Sequence, residues 1–109
     1  MAKVIWTDSA IDDLAHIFDY LAERMQSVDR AEQFCLDPLN ASVDRLGLLP
    51  DAGSLVHELA EWQAREIYRN SYRIIYVHRG DACYVNMCLH GSRDLARHIG
   101  RSLWDSLPP

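Results

Sequence analysis

The sequence predicts an α+β domain: an N-terminal strand, a two-helix hairpin, then a small antiparallel sheet, in the order β-α-α-β-β-β. Three observations predict it. Apolar residues recur at three- and four-residue steps through the N-terminal half. From Ala64 onward the pattern changes to short alternating, β-branched and aromatic runs, separated by Asn70-Ser71 and Gly80-Asp81, as in an antiparallel meander. With 109 residues, 49% of them hydrophobic, the chain fits one domain with one substantial core. The expected organisation is a single domain over 1–109, with a sheet core over about 64–92 and a C-terminal tail over 94–109.

Lys3 to Thr7 is short, β-branched and aromatic and reads as an edge strand. Thr7, Asp8 or Ser9 can cap a first helix, and Asp12 and Asp13 place negative charge in its first turn, where the helix dipole favours it. Ile11, Leu14, Ala15, Phe18, Leu21 and Ala22 form the apolar face of this helix, with Asp13, His16, Asp19, Tyr20 and Glu23 on other faces. A second helix starts at Ser27 or Asp29, with Ala31, Phe34, Cys35, Leu39, Val43 and Leu46 as its buried stripe. Pro38 interrupts it. A proline inside a helix lacks a donor and costs about 3 kcal/mol, so the helix either kinks there or begins a second segment with Asp37 as cap. Gly47 and the turn residues to Gly53 end it. Ser54 to Trp62 connects hairpin to sheet, with Leu55 and Leu59 touching the core. The tail spaces Leu95, Ile99 and Leu103 as in a short helix over 94–107.

Alternation sets Tyr72, Ile74, Tyr76 and His78 against Arg73, Ile75 and Val77 in the middle strand. In the last strand it sets Tyr84, Asn86, Cys88 and His90 against Cys83, Val85, Met87 and Leu89. The apolar face suits the helix hairpin. The face of Tyr, Asn and His, joined by Arg73, is the expected working surface.

Composition narrows the class. No run approaches the roughly 18 apolar residues of a membrane span, and the opening Met1–Trp6 lacks a signal-peptide pattern, so the expected address is the cytoplasm with no membrane partner. Three cysteines without CxxC spacing read as buried apolar residues rather than a disulfide framework or zinc site. No metal or organic cofactor is expected. Net charge is −5, unevenly spread: residues 1–61 carry four bases against twelve acids, and residues 62–101 carry seven arginines against three acids. A basic sheet half on an acidic helical half points to an anionic partner, nucleic acid or an acidic protein segment.

The opening VIWTDSAIDDLAHIFDYLAER, the middle SVDRLGLLPDAGS and the late REIYRNSYRIIYVHRGDACYVNMCLHGSRDL, in this order, resemble the RelE/ParE toxin superfamily of bacterial type II toxin–antitoxin pairs. The resemblance covers nearly the whole chain, and its most specific part is REI, YRIIY, and LH followed by RD. It implies one of two activities. RelE-like members cleave messenger RNA in the ribosome, which requires a base, an acid and cations for the pentavalent phosphate. On that reading Arg65 and Arg73 match phosphate-stabilising arginines, His90 matches a catalytic histidine, and Tyr76 or Tyr84 supplies a second acid–base group. ParE-like members are not known as nucleases; they act by binding, and family members inhibit DNA gyrase.

A single lysine, Lys3, and the acidic net charge disfavour a protein that must hold a polyanion in the ribosome. The hairpin is also longer than compact nuclease members carry, and LHGSRDL resembles ParE-type endings. The expectation is therefore a ParE-like member, a binding inhibitor rather than an enzyme, with Arg65, Arg73, His90, Arg93, Arg97 and Arg101 at its target- or partner-binding surface. Its implied partners are a cognate antitoxin, with which it forms a hetero-oligomer, and DNA gyrase, without direct nucleic-acid binding. The alternatives are the RelE-like endoribonuclease and a non-toxic corepressor that binds its antitoxin alone. Arg73 has a plainer role open to it, an ion pair with Glu66 on the adjacent strand.

Overall fold

Thr7 makes the first junction of the chain. In a computed structural model, which describes residues 2–91, β1 (Lys3–Trp6) ends at Thr7 and α1 (Asp8–Met25) begins after it. The Thr7 hydroxyl accepts from the Ala10 amide at 3.2 Å, capping the helix, and donates to the Val85 carbonyl at 2.9 Å. Because the cap is Thr7, Asp8 occupies the first turn and Asp12 and Asp13 fall in the second, one turn later than expected. Asp13 does not lie on an outer face either. Its Oδ2 accepts from the Cys88 amide at 3.1 Å, beyond the end of β1 pairing, and so fastens α1 to the sheet.

Gln26 closes α1 in the left-handed region (φ 51°), and Ser27 caps the next helix by accepting from the Arg30 amide at 3.1 Å. That helix runs as α2 (Val28–Ala31), a π turn (Glu32–Leu36) and α3 (Asp37–Asp44), with right-handed helical backbone at both junctions. A second helical segment begins here with Pro38 in its first turn, as one of the two expectations had it, but Asp37 is not its cap: no side chain caps α3, and the Asp37 amide reaches the Glu32 carbonyl five residues back. Pro38 has no N–H to give the Phe34 carbonyl; Asn70 Nδ2 donates to it at 2.8 Å. The π turn also explains the stripe. Ala31, Cys35, Leu39 and Val43, spaced by four, would drift about 40° per step on a 3.6-residue turn. A wider turn removes part of that drift, and all four are buried. Phe34 is left outside, 64% exposed, against expectation.

The sheet has five strands in the order β1-β5-β4-β3-β2, where β2 is Ser54–Leu55, β3 Arg65–Arg69, β4 Tyr72–Arg79 and β5 Ala82–His90. The three long strands form the expected meander; β1 is the expected edge strand but runs parallel to β5, so the sheet is mixed. Asn70 and Ser71 turn β3 into β4 with φ of 52° and 70°, and Gly80 opens the next turn at φ 59°.

A bulge corrects the predicted faces. Ile75 pairs with Met87 but Tyr76 pairs with Val85, so Asn86 is the extra residue and alternation reverses behind it. Cys83 and Val85 therefore join Ile74, Tyr76 and Cys88 in the core beneath α1, α3 and the π turn. The face of Tyr72, Ile74 and Tyr76, expected to be the working surface, is the one the hairpin covers; Tyr76 and Asn86 are wholly buried. On the opposite face Ile75, Val77, Met87 and Leu89 form a second core with Val56 and Leu59, under the 3-10 turn His57–Trp62. Two helical and connector positions also shift. Ile11 is half exposed while Ala10, Leu14, Ile17 and Leu21 face the core, and Leu55 lies outward on β2 while Val56 turns in. All three cysteines are free and buried, as expected.

Candidate functional site

The candidate arginines sit on adjacent strands, and register decides what each can reach. Arg65 pairs with Tyr76 and shares its face; Arg73 pairs with Tyr68 and lies on the other face. Arg73 is 9% exposed. Its guanidinium lies over the Tyr68 ring at 5.9 Å, and both Nε (2.9 Å) and Nη2 donate to Oε2 of Glu66. Burial works against its charge, but the Glu66 hydrogen bond and charge, aided by Tyr68 and Glu58, outweigh it and hold Arg73 above an arginine's ordinary value. The ion pair with Glu66 is therefore real, and it is largely buried rather than a surface contact.

Arg65 is engaged as fully. Its Nη1 donates to the carbonyls of Gly53 (2.8 Å) and Asp51 (3.3 Å), and its Nε lies 3.7 Å from Asp51 Oδ1. The buried Tyr76 hydroxyl accepts from the Gly53 amide at 2.9 Å. Gly53 is required for this approach: a Cβ there would come within 2.7 Å of the Glu66 carbonyl and 2.8 Å of the Tyr76 hydroxyl. Burial, more than any neighbour, pushes the Tyr76 hydroxyl up, so it resists ionisation. His78 Nδ1 lies 3.0 Å from Asp51 Oδ1 and its Nε2 3.0 Å from the Gly80 carbonyl. Together these groups fasten the loop that leads into β2.

His90, exposed at the end of β5, sets its ring edge-on to Tyr72, centroids 5.5 Å apart. It pairs with Tyr72, whereas Arg65 pairs with Tyr76, four residues along β4 and about 13 Å away at strand rise. The three residues of a nuclease reading are thus not brought to one point: two lie at opposite ends of one face and the third, Arg73, on the other. Arg93, Arg97 and Arg101 lie outside the described residues. Among the described residues no three His, Cys, Asp or Glu side chains are grouped to hold a metal. Nor is any helix there long and apolar enough to cross a membrane.

The family model for the ParE toxin of the type II toxin–antitoxin system parDE matches residues 4–95. The chain belongs to the ParE toxin family. Of the candidate residues, Arg65, Arg73, His90 and Arg93 fall within the match and Arg97 and Arg101 beyond it. The same fold occurs in a solved structure described as a chromosomal ParDE TA system from P. aeruginosa, which superposes with a TM-score of 0.68. The match has 16% sequence identity and covers 83% of this chain and 96% of that one. No curated protein matches in sequence. Within this ParE chain, sequence reasoning missed Asp51 and Gly53 as partners of Arg65 and Tyr76, and Asp51 as the partner of His78, because a loop-to-strand contact leaves no periodicity to read.

Proposed function

We propose that this ParE-family toxin acts by binding rather than by cleaving RNA, that DNA gyrase is its target, and that a cognate antitoxin neutralises it in the bacterial cytoplasm. One observation carries the preference for binding. The two guanidiniums a nuclease would turn to the scissile phosphate lie on opposite faces of the sheet and are both engaged, Arg73 in a largely buried pair with Glu66 and the part-exposed Arg65 by the Asp51–Gly53 loop. A cation already paired with a buried carboxylate has to lose that partner before it can stabilise a phosphorane. Family membership supports the toxin and the antitoxin partner. Inhibition of gyrase by family members supports the target.

Induced on its own, the chain is expected to arrest bacterial growth, and coexpression of the protein encoded beside it is expected to relieve the arrest. Undisturbed growth with abundant folded product would contradict the toxic role and favour the corepressor.

A further inference from the structure

We draw no further inference here: the strongest candidate, the surface patch at the tip of the β3–β4 hairpin where the π turn leaves Phe34 exposed beside Asn70, carries nothing, because nothing in the structure shows what covers it.

Discussion

Arg73 and Glu66 are matched to each other more closely than to any ligand. Their side chains are only 11% and 14% exposed, so removing one partner leaves a charge that water reaches poorly. Arg73→Met should lower stability by about 3 kcal/mol, and adding Glu66→Met should restore most of that loss, because breaking a buried pair costs more than replacing both members. Urea unfolding of the single and double variants measures both. Cys88 gives a pH prediction at the same scale. Burial first, then the Asp13 charge and Cys35, push its thiol up from 9.0 to about 12. Between those values the unfolded chain releases the proton and the folded chain keeps it, so stability is full below about pH 9 and falls as pH rises toward 12. Cys88→Val should flatten part of that decline, visible as a smaller drop in urea midpoint between pH 8 and pH 10.5 than the parent shows. The other raised groups, Cys35, Cys83, Tyr72 and Tyr76, act in the same direction and remain in the variant.

The elements divide into those local sequence determines and those it does not. Thr7 and Ser27 as caps, and Asn70-Ser71 and Gly80-Asp81 as turns, were readable because each is a short-range demand on one or two residues. The bulge at Asn86 and the π turn before Pro38 were not. Each inserts a residue without a residue type of its own, and each is fixed by distant packing. The bulge regroups β5, so that Cys83 and Val85 lie with Ile74 and Tyr76 beneath the hairpin rather than with Met87 and Leu89. The arginines follow the same division. Glu66 was a visible partner for Arg73 one strand away, while the Asp51–Gly53 loop that holds Arg65 depends on a fold not yet known. The β3–β4 turn offers a test at this scale. Ser71 holds φ 70°, a left-handed conformation that costs a residue with a side chain about 1–2 kcal/mol. Ser71→Gly should raise the melting temperature by several degrees. Asn70→Gly should gain less, since it gives up the bond to the Phe34 carbonyl.

Across the whole molecule, one sheet carries two cores, and the two candidate arginines on its strands are engaged within the fold, Arg73 joining β4 to β3 and Arg65 joining β3 to the loop before β2. The positive half expected from the charge pattern is thereby reduced. Of the seven arginines over residues 62–101, Arg65 and Arg73 are paired with acids of this chain and three lie outside the described residues. Such a molecule suits recognition of a protein surface better than the grip on a polyanion that a ribosome-bound nuclease needs. The most direct test of the binding reading is a pair of assays on purified, antitoxin-free protein: gyrase supercoiling of plasmid DNA, and messenger RNA integrity on translating ribosomes. The account predicts lost supercoiling or trapped cleaved DNA with the RNA intact. Cut messenger RNA with supercoiling undisturbed would contradict it and make Arg65, Arg73 and His90 catalytic.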